Sequence, residues 1–143
     1  MLKTRLYLAG PMRGYKDFNF PAFIEATKKL REAGYIVSCP AEMDRADGFN
    51  EEVLARMSDK EVMEYTRRVF PRDAISVCGS DGIALLDGWS VSKGASAEVA
   101  IANAMGIPCR PVVGWLNLAE IENTKADEKA DGNLKTAREC LGA

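Results

Sequence analysis

The sequence predicts an α/β fold, a three-layer Rossmann-like (flavodoxin-like) domain with a mostly parallel sheet and helices on both faces. Three observations carry that expectation. The run Ile83-Ala84-Leu85-Leu86 is short, wholly apolar and bounded by Gly82 and Asp87, the pattern of a strand buried on both faces. Residues 94–105 then repeat Val99, Ala102 and Met105 at helical spacing and stop at Gly106. Nearer the N-terminus, strand and helix patterns alternate in the same way, as parallel βαβ units do.

Taken in order, Arg5-Leu6-Tyr7-Leu8-Ala9-Gly10 reads as the first strand, running into the turn Gly10-Pro11-Met12-Arg13-Gly14-Tyr15. Two glycines with an arginine between them let backbone N–H groups and a guanidinium approach an anion. The turn lacks both the Lys-Ser/Thr ending of a P-loop and the G-x-G-x-x-G of a dinucleotide site. Pro21 opens a helix reaching Ala33, with Phe23, Ala26, Leu30 and Ala33 on one face and Gly34 as its stop. Tyr35-Ile36-Val37-Ser38 is the second strand, completing a right-handed βαβ unit before Cys39-Pro40.

Residues 41–72 are the least regular and read as a helical insertion. Asn50 is a cap for a short helix through Arg56, and Ser58 with Glu61 forms a capping box for a helix reaching at least Val69. Pro71 is expected to kink or restart that helix, which then continues to Gly79. Residues 109–113 form a further strand. Beyond Trp115 the chain turns into a polar tail (116–143), with a flexible or weakly helical linker at 124–132 and a last short helix at 134–141.

A chain of 143 residues makes one domain, long enough to bury most of its apolar surface. Its net charge of −2 and lack of a basic block argue against a nucleic-acid polymer as partner. No apolar run approaches ~18 residues and no signal-peptide pattern opens the chain, so no membrane contact and a cytoplasmic location are expected. Cys39, Cys78, Cys109 and Cys140 are far apart without a C-x-x-C pair, so neither a disulfide framework nor zinc is expected, and no cofactor or metal. The chain contains no histidine, which excludes every Ser–His or Cys–His arrangement. In an enzyme of this composition, carboxylates carry the proton transfers.

The polar loop 87–93 follows the buried strand at its carboxyl end, where open α/β sheets bind ligands. Glu98 falls in the first turn of the next helix or just after it, where the macrodipole favours a carboxylate and keeps it ionised. Facing a cleft, such a group serves as a nucleophile; away from one, it only stabilises the helix. Taken singly, Asp73 is a solvated helix residue and Tyr7 a buried strand aromatic.

Together these residues point further. Tyr7-Leu8-Ala9-Gly10-Pro11, the pair Arg72-Asp73 and Ser92-Lys93-Gly94-x-x-x-Glu98 resemble the nucleoside 2-deoxyribosyltransferase superfamily in order and spacing. The likeness covers most of residues 6–113, and the Gly-Pro-Met-Arg-Gly form is similar to an uncharacterised branch found in phage and bacterial genomes. The resemblance implies that Glu98 attacks C1′ of a sugar, that Tyr7 orients this carboxylate and that Asp73 protonates the departing base. It places Gly10, Met12, Arg13, Gly14, Asp87, Ser92 and Gly94 around the substrate and implies a homodimer or higher homo-oligomer.

The position six residues before the nucleophile holds Ser92, where transferases acting on free nucleosides carry Asp. The branch that hydrolyses nucleoside 5′-monophosphates has Ser there and an Arg-Gly pair matched by Arg13-Gly14. A hydroxyl, a guanidinium and a helix N-terminus attract a phosphate that an Asp would repel. The expected activity is therefore hydrolysis of the N-glycosidic bond of (2′-deoxy)nucleoside 5′-monophosphates. The alternatives are transfer of the sugar between bases and a non-catalytic nucleotide-binding module, the latter if the loop Asp87-Gly88-Trp89-Ser90 blocks the site.

Overall fold

A computed structural model describes the backbone of residues 3–141 and the side chains of residues 3–133. The thiol of Cys140 and the last two residues of the polar tail lie outside that range. Four parallel strands, β1 (Arg5–Ala9), β2 (Ile36–Ser38), β3 (Gly82–Leu85) and β4 (Cys109–Pro111), form one sheet in the order β2-β1-β3-β4. Tyr7 stands opposite Ser38 on one side and Ile83 on the other. This is the expected three-layer Rossmann-like architecture, with its strand order reversing between β1 and β3.

Alternation along the strands separates two cores. Leu6 and Leu8 of β1 and Ala84 of β3 pack with Phe20, Phe23 and Leu30 of α1 (Phe20–Glu32) and Trp115 of α6 (Val112–Leu141). Tyr7 and Ala9 point the other way and join Ile83, Leu85, Val77 of α4 (Asp59–Cys78) and Val99 of α5 (Lys93–Ala104). Every residue of β3 is buried, because helices cover both of its faces.

The segment between β2 and α4 holds two short helices, α2 (Pro40–Ala46) and α3 (Glu51–Arg56). Asn50 caps α3 by accepting the Val53 N–H at 2.9 Å. Ser58 and Glu61 form the expected capping box, with bonds of 3.2 and 3.1 Å. Pro71 neither ends nor restarts a helix: α4 runs through it in a single stretch.

Two further expectations change. The fourth strand stops at Pro111, which has no N–H for a ladder bond, and Val112 already begins α6. The polar tail is neither a linker nor a separate short helix, since α6 continues unbroken to Leu141. Ala126, Glu128, Lys129 and Ala130 are strong helix formers, and Glu122, Lys125 and Glu128 stand at i,i+3 spacing. Low hydrophobicity here marks a solvated helix rather than an unfolded segment.

Candidate active site

The loops after β1 and β3 and the helices α4 and α5 enclose a cavity of about 810 Å³. It opens at the carboxyl ends of the two central strands, at the reversal of strand order, where ligands bind in this architecture. Gly10 lets the loops meet: a Cβ there would stand 2.7 Å from Leu86 Cβ. Gly14 has a φ of 84°, as required where the Tyr15 N–H closes a turn onto the Met12 carbonyl at 3.3 Å.

The next three residues, Asp17, Phe18 and Asn19, all adopt left-handed φ values of 52°, 51° and 60°. Each costs about 1–2 kcal/mol for a residue with a side chain. Asn19 offsets part of this by donating from Nδ2 to the Pro11 carbonyl at 2.9 Å. The result presses Phe18 against the core while leaving it on the cavity wall.

Three elements bring Tyr7, Asp73 and Glu98 into this one cavity. Tyr7 comes from the centre of β1, Asp73 from α4 and Glu98 from α5. Asp73 is therefore a helix residue, as expected, but a largely buried one, its side chain 15% exposed. Glu98 falls just after the first turn, the second of the two expected placements: Ser92 is the N-cap and Glu98 the sixth residue of α5, counting Lys93 as the first.

Glu98 is only 7% exposed. The Tyr7 hydroxyl and Glu98 Oε2 are both buried without a hydrogen-bond partner. They lie close enough for the hydroxyl to favour the ionised carboxylate, but short of hydrogen-bonding geometry. Burial dominates and pushes Glu98 from its ordinary 4.5 up to about 8, with the charge of Asp73 adding to the rise. The expected ionised Glu98 is thus overturned, because the dipole acts over the first turn only and desolvation acts on the whole buried group. Burial likewise raises Asp73 from 3.8 to about 6; Arg72 opposes the rise and Asp44 supports it. Tyr7 is raised well above 10 by burial and then by the two carboxylates, so it remains a donor.

Also on the cavity lining, Ser92 Oγ accepts the Ala95 N–H at 3.2 Å as the cap of α5. Arg13, Lys93, Gly94 and Met12 line the cavity with it, and nothing stands within 4 Å of where a Gly94 Cβ would lie. Gly14 and Asp87 do not line the cavity. Gly14 shapes its turn instead, and Asp87 is exposed, just before the left-handed Gly88 (φ 83°) redirects the chain. Trp89 packs into the core beneath α5 and does not fill the cavity, although Val91 of the same loop lines it.

The α3–α4 segment supplies the wall the sequence left unexplained, with Leu54, Val62, Met63, Val69 and Phe70 facing the cavity. Its polar atoms are already engaged: Thr66 donates to the Val62 carbonyl at 2.8 Å and Tyr65 to Asp44 at 2.7 Å. Asp44, buried at 4% exposure, carries no sequence signal: it sits in α2 without a motif, and only the packed chain brings it to α4. Among the described residues no group of three or more His, Cys, Asp or Glu is placed to hold a metal ion, and no helix is long and apolar enough to cross a membrane.

Residues 4–110 match a family described as "Domain of unknown function (DUF4406)". A comparison with curated proteins finds no match.

Proposed function

The chain belongs to that family of unknown function, and we propose that it is an enzyme hydrolysing the N-glycosidic bond of nucleoside 5′-monophosphates. The supporting observation is the convergence of Tyr7, Asp73 and Glu98 in one cavity, with the Tyr7 hydroxyl and Glu98 Oε2 buried and unpartnered. The two groups face one another short of a full hydrogen bond and have no other partner, a state tolerated where a ligand completes the bonding.

In this reading the Glu98 carboxylate attacks C1′ as the C1′–N bond breaks, and Asp73 gives its proton to the departing base. The glycosyl ester on Glu98 is then opened by water, whose proton returns to Asp73. Two carboxyl groups suffice for this retaining chemistry. The Tyr7 hydroxyl supports Glu98 as an anion while the oxocarbenium-like sugar develops positive charge beside it.

The phosphate belongs at the Ser92 end, near Arg13 and Lys93, and the flat base belongs against the apolar α4 wall. No carboxylate occupies the Ser92 position to repel a phosphate. The same resemblance carries a homodimer with it, and sedimentation at micromolar concentration tests that directly.

The deciding experiment incubates the protein with a panel of nucleotides and follows free base by chromatography, with and without a second base. Release of base with matching sugar phosphate supports hydrolysis. Products appearing only when an acceptor base is added assign the chain to sugar transfer, and no product from any nucleotide refutes the proposal.

A further inference from the structure

Arg72 faces more carboxylates than its single charge neutralises. Its Nε donates to Asp73 Oδ1 at 2.9 Å, its Nη2 to Asp44 Oδ1 at 2.9 Å and its Nη1 to Asp47 Oδ2 at 3.1 Å. The Asp44 side chain is 5% exposed and that of Asp47 is 57% exposed, so Asp44 is the stronger competitor for the guanidinium. Asp44 Oδ1 also accepts the Tyr65 hydroxyl at 2.7 Å. Tyr65 is itself held by stacking on Phe49, with ring centroids 4.1 Å apart and the Arg68 guanidinium over both rings.

An arginine paired with Asp73 alone would hold it firmly as the carboxylate, which is the wrong form for protonating a leaving group. We propose that Asp44 is a positioning residue for the proton donor: anchored by Tyr65, it shares Arg72 and so loosens the guanidinium's hold on Asp73. The inference rests on the role given to Asp73 in the proposed reaction. It also gives the α2–α4 segment a task beyond walling the cavity.

The groups that act on Asp73 are Arg72 on its own helix and Asp44 from α2, while the Asp73 charge in turn raises Tyr7 of β1 and Glu98 of α5. Burial raises Asp44 and Asp73 alike, but Asp44 has two donors drawing it back and Asp73 only one. Of the two, Asp44 therefore keeps the negative charge more firmly and Asp73 takes a proton more readily.

The test is a carbon-13 NMR titration of the Asp73 carboxyl in the full chain, for wild type, Asp44→Asn and Tyr65→Phe. Asp44→Asn hands Arg72 to Asp73 and removes a like charge, so the proton affinity of Asp73 should fall about tenfold or more. Tyr65→Phe should move it the same way by less, because an unanchored Asp44 takes a proton more readily. The pH optimum of kcat/KM for nucleotide cleavage should shift to lower pH in both, and Asp44→Glu should restore it.

An Asp73 midpoint that stays or rises in Asp44→Asn overturns the proposal. Should that variant not fold, an unmoved Asp73 in Tyr65→Phe does the same. Failure of the wild type to cleave any nucleotide defeats the reaction, and the titration still decides whether Asp44 governs Asp73.

Discussion

Glu98 holds its proton up to about pH 8 and Asp73 up to about pH 6, so between these values the pair carries one proton, mostly on Glu98. The proposed chemistry needs that proton on Asp73. The reactive form is then a minor arrangement of the same charge state, and kcat/KM should be bell-shaped with flanks near pH 6 and pH 8. Asp73→Asn should remove the alkaline flank and leave a single acid flank set by Glu98, between 6 and 8, since the Asp73 charge no longer raises Glu98. It should also slow natural nucleotides by ~10²–10⁴ while sparing a substrate with an activated leaving group. Equal losses for both substrates, measured as kcat/KM against pH, would return Asp73 to a structural role.

Ser92 allows an unusually clean substitution, because Asp caps a helix as well as Ser does. Ser92→Asp should leave thermal stability near the wild type while erasing most of a preference for nucleotide over nucleoside of roughly two to three orders of magnitude. Arg13→Ala should narrow the same gap without abolishing turnover. Parallel kcat/KM values for a nucleoside and its 5′-monophosphate check this, and a wild type that prefers the nucleoside discards the phosphate site.

Among the elements, α6 shows how one aromatic side chain docks a helix. Trp115 Nε1 donates to the Ile83 carbonyl at 2.8 Å, and the Trp115 carbonyl accepts the buried Tyr35 hydroxyl at 2.7 Å. The indole lies against Gly82, where any Cβ would collide with its ring. Gly82→Ala should therefore destabilise the protein by about 1–3 kcal/mol, as overpacking typically does. Trp115→Phe alone also destabilises it, but the double variant should be less damaged than the sum, because the smaller ring makes room. Chemical denaturation of all four proteins measures the coupling, and strict additivity would mean the two residues do not share the contact. Beyond Ala119, residues 120–133 are exposed throughout, so this part of α6 relies on local propensity alone.

At the scale of the whole molecule, the carboxylates set how stability varies with pH. Glu98 binds its proton more tightly in the folded chain, about 8 against an ordinary 4.5, so its contribution is intact below pH 4.5 and lost as pH rises towards 8. Asp73 acts in the same direction between 3.8 and about 6. Glu98→Gln removes the larger loss: its melting temperature should match the wild type near pH 4.5 and exceed it at pH 8 by the equivalent of roughly 4 kcal/mol, with turnover abolished. A variant no more stable than wild type at pH 8 would show that Glu98 is not held neutral by burial.

The sequence alone determined what depends on neighbours along the chain. The apolar run at 83–86 required a strand covered on both faces, Asn50 and the Ser58–Glu61 pair placed helix starts, and the absence of histidine excluded any imidazole acid or base. These are short-range matters of propensity, capping and residue type. Residues far apart in sequence determined the rest. Glu98 is pushed towards its neutral form because the packed chain removes it from water, and Asp44 meets Arg72 because α2 and α4 come together. Desolvation and ion pairing depend on distance in space, and only the packed molecule sets those distances.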